Sequence, residues 1–142
     1  MRFTLLLLSF LAGHAIAQCD EPRHMADIPY PKNSSYFNSQ YASQLQAILQ
    51  APTDSDGYLL LEFPVTKSQK DETTRQYNMW LAGKRLTRIK QFLTDADYPH
   101  PVITRILTAS TEELRQVSIN WCATSDAPQL ANTHPVNIPQ NH

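Results

Sequence analysis

The sequence predicts an α+β domain in which helices pack on one mixed β-sheet, with elements in the order βαβαββ. Three patterns carry that prediction. Met79, Ala82, Leu86, Ile89 and Leu93 recur three and four residues apart, the period of one helix face. Residues 58–63 form a nearly continuous apolar run between Gly57 and Pro64, which predicts a central strand covered on both faces. Val117, Ile119 and Trp121 alternate with Ser118 and Asn120, which predicts a last strand with one buried and one wet face.

The chain opens with Met1-Arg2, an apolar run over 3–12 and Ala15-Ile16-Ala17, the plan of a secretory signal peptide cleaved after residue 17. That run is short of the roughly 20 residues a membrane-spanning helix needs. Gln18 is bulky and polar where a lipoprotein signal takes a small residue, so Cys19 is not expected to carry lipid. Residues 18–25 read as an irregular N-terminal arm, 26–122 as the domain, and 123–142, rich in Pro, Asn, Thr, Gln and His, as a disordered tail.

Within the domain, Ile28 and Tyr30 mark a first strand over 26–31, which Pro29 and Pro31 assign to an edge or a strand end. Asn33-Ser34-Ser35 supplies turn and cap chemistry. Tyr41, Leu45, Ile48 and Leu49 form a helix face that starts between 34 and 38 and stops before Pro52. After the central strand, a polar loop over 65–74 leads to the long helix. Thr73 and Gln76 are spaced as a capping box, and the helix ends near Asp95, ahead of Pro99 and Pro101. Residues 102–107 are β-branched and apolar, a third strand. Ser110 and Glu113 are spaced to cap a single helical turn before the last strand.

Removing residues 1–17 takes away Arg2 and no acid, so the net charge moves from −1 to −2. Such a balance offers no basic field for nucleic acid. No second run reaches spanning length, so no membrane insertion is expected after cleavage. Cys19 and Cys122 are expected to form one structural disulfide in an oxidising compartment, because their spacing is unlike a reactive Cys-x-x-Cys pair. His24, His100, His134 and His142 are scattered without ligand spacing, and no Gly-x-Ser-x-Gly elbow marks a nucleophile. The chain therefore reads as a binder without metal or cofactor, not an enzyme. Glu112-Glu113 reads as a solvated turn, and Trp80 and Trp121 as core or half-buried packing. Trp80 and Tyr77 flank a second helical stripe, Asn78, Leu81 and Arg85, which places Arg85 at the border of the buried face.

The spelling Tyr77-Asn78-x-x-Leu81-x-x-x-Arg85, followed by apolar residues and Phe92-Leu93, resembles the OmpA-like family. This is the peptidoglycan-associating domain of outer-membrane protein A and of related lipoproteins and stator proteins. The first strand with its Asn-Ser turn, the first helix and the ending Arg115-Gln116-Val117-Ser118-Ile119 are also similar to that family. The resemblance spans about residues 26–121. It implies a periplasmic domain that holds the zwitterionic diaminopimelate of the peptidoglycan stem peptide. Arg85 would grip a carboxylate through its planar fork, and Asn78 would shape the neighbouring loop.

The sequence departs from the pattern at the loop acid. Thr66-Lys67 stands where the family has Thr-Asp, with Lys67 eleven residues ahead of Asn78 and the loop three residues longer than the family's. Asp71 is the nearest substitute, although its position at the helix start suits capping. The connection over 109–116 is short and contains no glycine. Two partner classes follow from the resemblance. One is the peptidoglycan stem peptide, bound through Arg85, Asn78, Asp71, Lys67, Thr66 and Leu81. The other is another envelope protein, bound by a divergent adaptor of a motor, secretion or pilus assembly.

Overall fold

The computed structural model describes residues 19–53, 56–69 and 71–124. The expected signal peptide and nearly all of the expected tail lie outside these residues. The elements are β1 (Arg23–Pro29), a 3-10 turn (Ser39–Tyr41), α1 (Ala42–Gln50), β2 (Gly57–Thr66), α2 (Glu72–Asp95), β3 (Val102–Ser110) and β4 (Gln116–Ala123). The fold is α+β, with a four-stranded mixed sheet in the order β1-β4-β2-β3. β2 and β3 run parallel, joined by α2, while β4 is antiparallel to both β1 and β2.

Both α-helices cover the same sheet face. Leu59, Leu61, Phe63 and Val65 of β2 and Val117, Ile119 and Trp121 of β4 alternate onto that face. They meet Leu45 and Ile48 of α1 and Ala82, Leu86, Ile89 and Leu93 of α2 in one core. Each large apolar side chain buried there contributes about 1.5–3 kcal/mol relative to exposure. The two-sided burial expected for residues 58–63 holds only in part: on the second face Leu60 is buried, whereas Tyr58 and Glu62 are partly buried, and among the described residues no helix lies on that face. A polar row crosses that second face instead. Ser118 Oγ donates to Asp27 Oδ1 at 2.7 Å, Ser118 pairs in register with Glu62, and Arg105 Nε donates to Glu62 Oε1 at 2.7 Å.

Pro64 lies inside β2 and does not end it. Leu59 N–H points to β3, donating to Pro101 O. Alternation then aims the Pro64 nitrogen at the β4 side, where pairing with β2 has already ended at Glu62. Gly57 is required by close approach: a Cβ there would sit 2.4 Å from Cys122 O and 2.6 Å from the Trp121 ring.

Cys19 and Cys122 are joined, with Cα atoms 5.6 Å apart, tying the N-terminal segment to β4. The arm expected over 18–25 is shorter than that, because β1 begins at Arg23, where pairing with Trp121 starts. β1 also ends at Pro29, two residues before the expected limit.

Two expected caps are replaced by others. Asn38 caps the turn before α1, its side chain accepting from Gln40 N. Asp71, and not Thr73, caps α2: its Oδ1 accepts from Thr74 N at 2.7 Å and its Oδ2 from Thr74 Oγ1 at 2.9 Å. α2 ends at Asp95 as expected, and the left-handed Asp97 (φ 56°) lets Tyr98 N–H return to Leu93 O. No helical turn forms after β3, where Ser110 Oγ instead bonds both the N–H and the carbonyl of Glu112.

Candidate functional site

Arg85 lies deeper than its border position in the stripe predicts, at 3% relative exposure. Its Nε donates to Ser34 O at 2.8 Å and its Nη2 to Pro31 O at 3.0 Å. Those carbonyls belong to the turn after β1, closed by Ser34 N–H to Pro31 O and by Asn33 in the left-handed region, which asparagine tolerates. The guanidinium carbon sits 5.2 Å from the Tyr30 ring centroid and 5.0 Å from that of Phe63. Tyr30 Oη donates back to Arg85 O at 3.0 Å.

Among the described residues no carboxylate lies within ion-pair distance of Arg85. Two of its five N–H groups are spent on the turn, leaving Nη1 and one proton of Nη2. Burial lowers its pKa from the ordinary arginine value, and the nearby Arg115 charge pushes the same way. Burial also pushes the Tyr30 phenol far above its usual range, against the pull of the Arg85 and Arg88 charges.

Arg85 faces a cavity of about 490 Å³ between the β1 turn, the end of β2, the first turns of α2 and the β3–β4 connection. The cavity brings together Arg85, Asn78, Leu81 and Thr66 of the residues expected from sequence. Lys67 and Asp71 do not line it. Lys67 is exposed and its backbone N–H continues the ladder to Ser110 O; Asp71 is occupied with its cap. Hydrogen bonding from Thr74, first its N–H and then its hydroxyl, holds the Asp71 carboxyl below the usual carboxylate range.

Asn78 is fixed by a glutamine that the sequence did not single out. Asn78 Nδ2 donates to Gln69 Oε1 at 2.7 Å, and Gln69 Nε2 donates to Thr66 Oγ1 at 2.6 Å and Thr66 O at 3.1 Å. Gln69 thus bridges the end of β2 to α2 and sets the shape of the intervening loop. Nothing in its sequence context marks it, since the bridge depends on where Thr66 and Asn78 meet in space.

The remaining charged lining is Lys32, Arg115 and Glu113. Glu113 belongs to the pair read as a solvated turn; it is exposed, and it also borders the cavity. With Arg85 the lining therefore holds three cations and one carboxylate. Tyr77 closes one side, stacked on Trp80 with ring centroids 5.9 Å apart. Trp80 is 55% exposed, which corrects its assignment to core or half-buried packing, whereas Trp121 is buried as expected.

Among the described residues no cluster of His, Cys, Asp and Glu is arranged to hold a metal ion, and no helix is long and apolar enough to cross a membrane. Comparison with protein-family models, curated proteins and solved structures finds no match to this chain. The family resemblance therefore rests on the residues quoted for it.

Proposed function

We propose that this chain is a divergent OmpA-like binding domain of the periplasm that associates with peptidoglycan by holding a carboxylate of the stem peptide. One observation carries the reading. A deeply buried guanidinium borders an open cavity with no carboxylate partner among the described residues. Burying an uncompensated charge costs several kcal/mol, and an incoming carboxylate offsets that cost with charge-assisted hydrogen bonds. Glu113, on the opposite connection, supplies the negative group for the ligand ammonium, a role the family gives to the loop acid that Lys67 replaces here. Lys67 faces solvent, so its charge does not enter the cavity.

A second reading, an adaptor for another envelope protein, is favoured by the two Arg85 donors already committed to Pro31 and Ser34. Retention on purified sacculi separates the two. The stem-peptide reading expects retention of the wild-type protein, its competition by free diaminopimelate, and loss of retention in Arg85→Lys and Glu113→Gln. Wild-type protein that washes off the sacculi removes the first reading and leaves the adaptor.

A further inference from the structure

We infer that the outer edge of β3 pairs antiparallel with β3 of a second copy of this chain, joining two four-stranded sheets into one of eight. β1 and β3 are the two edges of the sheet, and they are finished differently. β1 carries devices that blunt an edge: a register irregularity between His24 and Ala26, the polar pair His24–Asp27, and Pro29 at its end. β3 has nine residues with neither proline nor lysine, and its irregularity comes only after Leu107. Its one charged side chain, Arg105, is drawn back over β2 by Glu62.

The backbone defines what kind of partner fits. Leu59 N–H donates to Pro101 O, so Pro101, Ile103 and Arg105 turn their backbone groups towards β2. Alternation leaves the N–H and carbonyl of Val102, Thr104 and Ile106 pointing away from it. Among the described residues no strand or loop backbone meets them. A regular row of outward donors and acceptors is matched by another extended strand, which a lipid or a glycan does not offer. Beside that row, Ile103 and Leu107 are 43% and 38% exposed on the open face.

The order of residues along β3 selects a second copy as that strand, because it is complementary to itself. A two-fold axis at Ile106 sets Ile106 against Ile106, Thr104 against the partner's Thr108, and Arg105 against the partner's Leu107, over all nine residues. β-Branched and Thr–Thr pairs are favourable across strands, and Leu107 lies diagonal to the partner's Ile103 and Leu107 on the open face. An axis at Arg105 would bring two guanidiniums directly opposite, in the closer kind of antiparallel pair, and axes at Thr104 or Leu107 shorten the overlap. The Arg85 cavity lies at the Ser110 end of β3, where Leu114 and Arg115 line it. Antiparallel pairing sends the two cavities to opposite ends of the joined sheet, so pairing and ligand binding do not compete.

The test is sedimentation equilibrium of the mature chain from about 1 μM to 1 mM, where a reversible monomer–dimer equilibrium is expected. Thr104→Pro removes an outward donor and no bond of the β2–β3 ladder, so it should keep its circular dichroism spectrum and dimerise at least about tenfold more weakly. Leu107→Arg faces the partner's Arg105 and should weaken the dimer about tenfold, whereas Leu107→Glu faces the same cation and should tighten it. A chain that stays monomeric throughout overturns the inference, as does a dimer indifferent to Thr104→Pro. A dimer weakened alike by Leu107→Arg and Leu107→Glu also overturns it, because that result reports an apolar patch without strand register. So does assembly beyond the dimer, since a two-fold β3 contact closes on itself.

Discussion

Arg85 on α2 and Arg105 on β3 show how one residue type is used in two ways by opposite faces of the sheet. Arg105 lies on the open face, about half exposed, and its fork is taken up by Glu62 across the parallel ladder. Arg85 lies on the helix-covered side, almost wholly buried, and among the described residues meets backbone carbonyls and aromatic rings. The first charge is neutralised inside the molecule. The second is held in place by neutral acceptors, which position it without cancelling it. A fold that buries a charge in this manner keeps it available to an outside anion, and so the ion pair is the poorer pointer to function.

The contrast can be broken most forcefully by removing the frame common to both faces. The Cys19–Cys122 bond closes a separation of 103 residues and anchors the segment leading into β1, whose following turn holds Arg85. Reduction, or Cys19→Ser with Cys122→Ser, is expected to lower unfolding free energy by about 4–5 kcal/mol, read from denaturant midpoints.

Next in size is Arg85→Met. It strips Pro31 O and Ser34 O of their donors and leaves a neutral side chain in the cavity wall. A loss of about 2–4 kcal/mol is expected by the same denaturation measurement, together with loss of sacculus retention. A stability loss with retention intact would make Arg85 a structural clamp alone.

Tyr30→Phe sharpens the electrostatic side. Folding raises the Tyr30 pKa, so the folded state keeps a proton that the unfolded state releases. Its contribution is complete below the ordinary tyrosine value of about 10 and is lost as pH climbs above it. The wild-type protein should therefore lose stability steeply above about pH 10, and Tyr30→Phe should flatten that limb of the thermal midpoint against pH. An unchanged alkaline limb would place the destabilisation elsewhere.

Arg105→Ala is expected to cost under about 1 kcal/mol, less still in high salt, with sacculus retention unaltered. Asp71→Ala tests the cap of α2. A lowered carboxylate pKa stabilises above its unfolded value and ceases to do so as pH falls through the folded one. The variant should lose helix stability at neutral pH, converge on wild type in acid, and keep its binding. Loss of binding in Asp71→Ala would return that residue from cap to ligand group.

Much of the architecture was legible from local pattern. The α2 stripe gave a helix ending at Asp95, and the alternation around Ile119 gave a strand with one dry face. The first helix was also legible, although its start moved to the turn that Asn38 caps. Local pattern failed where a neighbour decided the outcome. The run over 58–63 is apolar, yet among the described residues no helix covers one of its faces, and Pro64 continues a strand because its missing donor faces an unpaired side. Thr73 and Gln76 have the spacing of a cap, but Asp71 reaches the free amide first.

The candidate site divides along the same line. Arg85, Asn78, Leu81 and Thr66 were named from the family resemblance, and they do share one cavity, three of them because they ride on a single helix face. Gln69, Lys32, Arg115 and Glu113 come from three separate connections, which only the folded sheet brings to one rim.

By itself, the order of residues determined which segments become helices and strands, which two cysteines were available to join, and that one arginine would stand beside an apolar stripe. Periodicity and residue chemistry act over a few positions and need no knowledge of the rest of the chain. Tertiary structure alone decided that this arginine would be buried against carbonyls with no carboxylate partner among the described residues, which sheet face the two helices would cover, and which of the charged loops would border the cavity. Those outcomes depend on contacts between residues as far apart in sequence as Pro31 and Arg85, whose meeting is set by strand order and not by any local signal.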